Sequence, residues 1–332
     1  MSARDLFPIL PVLLVLAVLP FLGLSGSLLN LLIFMMIVAL AAQGWNVLGG
    51  YGGLASFGHA AFFGTGAYAA AILQTRYGVN AWAALVAGVV LGSLVGAFIG
   101  LLTFRSGLKG SYFALITLAF AEVLRIIANS SEITGGGAGI VVPIDYGFEN
   151  LQLRDRRFFV LLAVICVGVG LVITRWLDRS KFGAYLIAIR ENEDAARALG
   201  VNVMNVKLGA ITLSAALTAL AGVLYTQNFL FLDANVAYGP WISIEALFAA
   251  IVGGLGTMFG PLIGAVVLLG AGEITKEFSG GIPGFDLLVF GVILIITVAF
   301  APNGLAGISL KSFRRKTRGH TARSSRDGGA DA

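Results

Sequence analysis

Apolar residues run almost without interruption through ten stretches of this chain, at about 6–24, 28–48, 53–73, 81–103, 111–128, 158–177, 208–228, 242–259, 260–278 and 285–301. Several exceed the ~18 nearly uncharged residues that mark a helix crossing a bilayer. The pattern predicts an all-α fold, a polytopic integral membrane bundle of about ten segments. Two regions, 53–73 and 242–278, are rich enough in glycine to suit broken or re-entrant helices as well. The first stretch follows Arg4 much as a secretory signal follows its basic residue. It is longer than the ~7–15 apolar residues of such a signal, and it contains Pro8, Pro11 and Pro20. It is expected to remain as a first span.

The most informative polar interruption is Arg190-Glu191-Asn192-Glu193-Asp194-Ala195-Ala196-Arg197-Ala198-Leu199-Gly200. Asn192 is a good N-cap, because its side-chain oxygen can accept from the free N–H groups of a first turn. Glu193 and Asp194 put negative charge at the positive end of the helix dipole, and Arg197 puts positive charge near the other end. Gly200 suits the left-handed stop. A separate two-turn helix is predicted, lying across the membrane rather than through it. A capped helix built into a loop is a surface to show to a partner.

Charge then orients the spans. Arg175, Arg179, Lys181, Arg190, Arg197 and Lys207 mark the loop 175–207 as cytoplasmic by the positive-inside rule. The segment 303–332 carries seven basic residues against Asp327 and Asp331, which accounts for the whole formal net charge of +5. It reads as a basic, disordered cytoplasmic tail drawn to anionic headgroups, and not as a nucleic-acid site. Residues 1–303 form one transmembrane domain, with the loop 178–207 on its inner face, and 304–332 form the tail. Two cytoplasmic regions need an even number of crossings between them, so 242–278 must pass twice. Gly253, Gly254, Gly256, Gly260 and Pro261 are the place to reverse. Both termini are then cytoplasmic and the loop 129–157 is external, although Arg154, Arg156 and Arg157 break the charge rule there.

Hydrophobic residues make up 58% of the chain and charged ones 12%, about half the charged fraction of soluble domains; no soluble domain of useful size is left over. Gly88, Gly92, Gly96 and Gly100 recur every four residues and line one helix face for close packing, and Gly256, Gly260 and Gly264 repeat the spacing. Gly52-Gly53-Leu54-Ala55-Ser56-Phe57-Gly58 faintly matches Gly253-Gly254-Leu255-Gly256-Thr257-Met258-Phe259-Gly260. Paired glycine-broken segments of this kind point to a transport pathway.

Ionisable groups at membrane depth are costly and suggest function. The candidates are Glu122, Arg125, Glu245 and Glu273, expected in the outer half, with His59 on the approach to the third span. Glu122 and Arg125 can simply pair with each other, and His59 can be a packing residue. Both readings stand beside a solute pathway. No cluster of acid, base or metal-ligand residues supports catalysis, so neither a metal nor a lipid-modifying activity is expected. No Gly-x-x-x-x-Gly-Lys-Ser/Thr loop occurs, so the chain does not bind ATP by that route. The single cysteine, Cys166, has no partner for an intrachain disulfide.

Asp194-Ala195-Ala196-x-x-x-Gly200 resembles the Glu-Ala-Ala-x-x-x-Gly loop of ABC importer permeases, with Asp in place of Glu and no Ile-x-Leu-Pro ending. Gly52 to Ala60, Thr117-Leu118-Ala119-Phe120-Ala121-Glu122, Thr134-Gly135-Gly136, Ala188 to Glu193, and Gly253 to Thr257 with Gly260-Pro261 resemble the permeases of branched-chain amino acid uptake systems. The likeness is closer to the M-type subunit than to the shorter H-type. The resemblance implies the ABC importer permease fold and a complex with a second permease, two ATPases and an extracytoplasmic solute-binding protein. The ATPases would hold the ATP, and Arg190, Glu191, Asn192, Glu193, Asp194, Ala195, Ala196 and Gly200 would dock on one of them. The solute would be a branched-chain amino acid, another amino acid, or urea or a short amide. A self-sufficient carrier or channel is the alternative of another class.

Overall fold

The computed structural model describes residues 7–279, 285–301 and 304–307. The tail from 308 to 332 lies outside the described residues. Helices α1 (Ile9–Val18), α2 (Gly26–Trp45), α3 (His59–Tyr77), α4 (Ala81–Arg105), α5 (Ser111–Ser130) and α6 (Arg156–Arg179) form the first half. Two short helices follow, α7 (Lys181–Glu191) and α8 (Glu193–Ala198). Then come α9 (Val203–Phe229), α10 (Ala234–Tyr238), α11 (Pro240–Gly253), α12 (Gly260–Ser279) and α13 (Phe285–Phe300).

Among the described residues, six segments, 26–51, 81–105, 111–130, 156–179, 203–229 and 234–253, are long and apolar enough to cross a bilayer. The remaining expected spans correspond to the short helix Ile9–Phe21 and to α3, α12 and α13, which fall below the same mark in length or apolarity. The fold is the expected helical membrane bundle; ten crossings remain an expectation.

Glycine sets how closely the bundle packs. An added Cβ would lie 2.3 Å from Ala219 Cβ at Gly92, 2.4 Å from Ala215 Cβ at Gly96 and 2.5 Å from Ile211 Cγ2 at Gly100, so the stripe on α4 is the seat of α9. From α9, a Cβ added to Gly222 would likewise collide with the Phe63 carbonyl of α3. The second stripe behaves differently. Gly260 and Gly264 let α12 fold back on α11, whereas Gly256, with φ +68°, belongs to the turn between them.

The predicted breaks sit where glycine suggested, with one correction. Residues 53–58 are not helical, and α3 starts only at His59. After α2 the chain makes a π-helical turn over 46–51, and Gly53 at φ +66° turns it out of the helix. Such a departure leaves backbone groups to be satisfied elsewhere. Leu54 N–H donates to the Leu48 carbonyl at 3.1 Å, and the Trp45 indole donates to the Ser56 carbonyl at 2.8 Å.

One end of the bundle gathers the turn 46–51, the ends of α4 and α6, α7, α8, the start of α9, the turn 254–259 and Gly304. Tyr51 Oη donates to Asp178 at 2.6 Å, and a Cβ on Gly304 would meet Gly254. The opposite end holds the loop 131–155. There Ile140–Val141 pairs antiparallel with Phe231–Leu232, an association no local pattern announced.

Candidate functional site

Helix α8 has the anatomy its residues predict. Asn192 is extended at φ −157°, ψ 106°, and its Oδ1 accepts the Ala195 N–H at 3.0 Å. At the other end Gly200 adopts φ +86°. Val201 N–H reaches the Ala196 carbonyl at 3.1 Å and Gly200 N–H the Arg197 carbonyl at 3.0 Å, the paired closure of a glycine-terminated helix. A further helix that the sequence did not suggest, α7, precedes it. Ser180 caps α7 by accepting Gly183 N–H at 3.0 Å.

The residues of this segment divide into two groups. Asp194, Ala195, Leu199 and Gly200 are exposed, and Leu199 is 86% accessible, a large apolar side chain held out in solvent. Arg190 and Glu193 instead tie the element to the bundle. Arg190 Nη1 donates to the Gly50 carbonyl at 2.7 Å, and its other nitrogens hold Glu191. Glu193 accepts from Lys207 Nζ at 2.8 Å, sits 3.5 Å from Lys109, and receives Arg197 at 3.0 Å. Its side chain is only 16% accessible and that of Lys207 only 7%. Burial alone would raise the Glu193 pKa. The Lys207 hydrogen bond and charge outweigh it, with Lys109 adding to them, and hold the carboxyl below its ordinary value. Glu193 thus turns in toward the bundle, because a carboxylate beside two lysines gains more there than in solvent.

The anchoring reaches both glycine breaks. Asn46, fully buried, accepts Gly256 N–H at 2.8 Å and donates to the Thr257 carbonyl at 3.0 Å. The turn 46–51, just before the first glycine motif, therefore meets the second motif, with Arg190 spanning from Gly50 toward Gly256. Sequence reasoning missed Asn46, Lys207 and Asp178. A buried amide at the end of an apolar run was the only available signal.

The candidates for a solute pathway do not converge. Arg125 forms a two-pronged pair with Glu122 and donates to Asn235 Oδ1 at 2.6 Å, joining α5 to α10. Glu273 pairs with Lys276 at 3.8 Å on α12. Glu245 is half-buried on α11, one turn beyond Trp241. These four lie toward the end of the bundle opposite α8. His59, the first residue of α3, is fully buried, with Nε2 2.9 Å from Ser214 Oγ and its ring against Phe62 and Trp45. No group of three metal-ligating side chains occurs among the described residues.

The comparison with known proteins agrees with this anatomy. Residues 27–298 match the family profile described as branched-chain amino acid transport system, permease component. The high-affinity branched-chain amino acid transport system permease protein LivM of Escherichia coli is 30% identical, over 88% of this chain and 73% of that protein. A probable branched-chain amino acid transport permease protein LivH of Methanocaldococcus jannaschii is 27% identical, over 86% and 93%. The fructose import permease protein FrcC of Rhizobium meliloti is 27% identical, over 68% and 63%. No solved structure matches. With the glycine breaks, the capped helix and most of the apolar spans inside the matched region, the chain belongs to the family of branched-chain amino acid transport permeases.

Proposed function

We propose that this chain is the transmembrane permease subunit of an ATP-binding-cassette importer for branched-chain amino acids or a related small polar solute. Two ATPase subunits, a second related permease and an extracytoplasmic solute-binding protein complete the machine. The ATPases hold and hydrolyse the ATP, and this chain catalyses no reaction of its own. Its α8 end and both termini face the cytoplasm. The sugar permease among the relatives supports keeping the solute class broad.

The observation that carries this reading is the division of labour in α8. Asp194 and Leu199 stand exposed for a partner, while Glu193 and Arg190 bind the element to the bundle. A push on the exposed face passes through Arg190 to the Gly50 turn and through Asn46 to the 256–257 turn. The two packed bodies then rock as units. Coupling by this route needs a stiff lever, which the caps on α8 supply.

Co-purification and uptake test it together. The wild-type chain should bring ATPase subunits with it and support solute uptake in a reconstituted complex. Asp194→Lys with Leu199→Asp, or Gly200→Pro, which cannot reach φ +86°, should abolish uptake while the chain stays in the membrane. Unchanged uptake in these variants, or a functional carrier without ATPases, refutes the coupling role.

A further inference from the structure

The arginines that break the positive-inside rule have a structural setting. Arg154 and Arg156 stand at the rim of a cavity of about 110 Å³ at the end of the bundle opposite α8. Neither makes an ion pair among the described residues, whereas Arg157 pairs with Asp155. At the base lies Gln227 of α9, 4% accessible, with both side-chain oxygen and nitrogen buried and without a hydrogen-bond partner. Buried amides are nearly always satisfied, so an orphaned one on a residue lining a cavity marks a place for a polar guest. Phe159, Leu151 and Leu230 supply apolar wall. The two leucines, at φ 54° and φ 56°, are the non-glycine residues with positive φ among the described residues. Backbone held in this sparsely populated region clusters at ligand sites.

From these we infer that this cavity is a binding site for a small carboxylate with an apolar arm, held by Arg154 and Arg156 at the rim and by the Gln227 amide at the base. Arginine suits this task because its planar fork pairs with both carboxylate oxygens. No acidic side chain lines the cavity, so the negative group of the guest is what the site selects. The volume is several times the ~10–15 Å³ that admits one water, in keeping with a guest of several heavy atoms. The site stands apart from the ATPase reading, since equilibrium binding needs no ATP.

Isovalerate and its neutral isostere isovaleramide separate the charge from the shape. Binding to the full-length chain, purified in dodecyl maltoside with any subunits it carries, is read by saturation-transfer NMR. Isovalerate should bind at least tenfold more tightly than the amide. Arg154→Ala with Arg156→Ala, both exposed, should weaken it at least tenfold without moving the thermal midpoint. Gln227→Glu, nearly isosteric, should do the same by repelling the carboxylate. Equal binding of the amide, or full binding by the double arginine variant, overturns the site. Displacement of isovalerate by stoichiometric phosphatidylglycerol overturns it as well, because the anion held would then be a lipid phosphate.

Discussion

Replacing Glu193 with alanine tests the anchoring of α8 at its tightest point. The substitution removes the carboxylate that Lys207 reaches at 2.8 Å and leaves an ammonium only 7% accessible without its counter-charge. A hydrogen bond to a charged group contributes about 1.5–3 kcal/mol, and breaking a fully buried pair costs about 3–5 kcal/mol. Because Glu193 is 16% accessible, the expected cost is about 2–3 kcal/mol. That is a rise of about 30- to 150-fold in the population of undocked α8, at about 1.4 kcal/mol per decade. Amide hydrogen exchange of Ala195 to Val201 should accelerate by that factor, while exchange in α9 beyond its first turns stays unchanged. The double replacement Glu193→Leu with Lys207→Met, which leaves no buried charge, should restore most of the protection. Exchange unaffected by Glu193→Ala, or equally fast in the double variant, would refute the view that this pair holds the lever.

The same carboxyl makes docking pH-dependent: its folded pKa lies below the ordinary 4.5, so its contribution is complete above that value and is lost as pH falls through the folded pKa. Exchange in α8 measured across this acid range should show the loss, and Glu193→Gln should flatten it. Gly92→Ala places a methyl group 2.3 Å from Ala219 Cβ and should cost about 1–3 kcal/mol by overpacking, read as a lower thermal midpoint in detergent. Gly26→Ala meets nothing within 4 Å and should leave the midpoint unchanged or slightly raised. Asn46→Leu strips the partners from Gly256 N–H and the Thr257 carbonyl, at about 1–3 kcal/mol for each group left buried. Proteolysis within 253–260 should become faster in that variant.

Much of this protein is legible along the chain because its strongest signals are local. A run of apolar residues determines a span by its own length, since no water competes for its backbone groups. Asn192, Glu193, Asp194, Arg197 and Gly200 determine α8 because capping and dipole effects act within one turn. The four-residue glycine spacing in α4 likewise announces a close helix contact before the partner is known. What the sequence leaves open is which distant residues meet. Asn46 and Gly256 are separated by 210 positions, and their hydrogen bond depends on how α2 and the α11–α12 hairpin are set against each other. Only the packed bundle turns Glu193 inward onto Lys207 and Lys109, and only it brings Gln227 under Arg154 and Arg156. Helices form from neighbours in sequence, but their rotation and depth are settled by the side chains and glycines of other helices, and those decide which polar groups are held and which are shown.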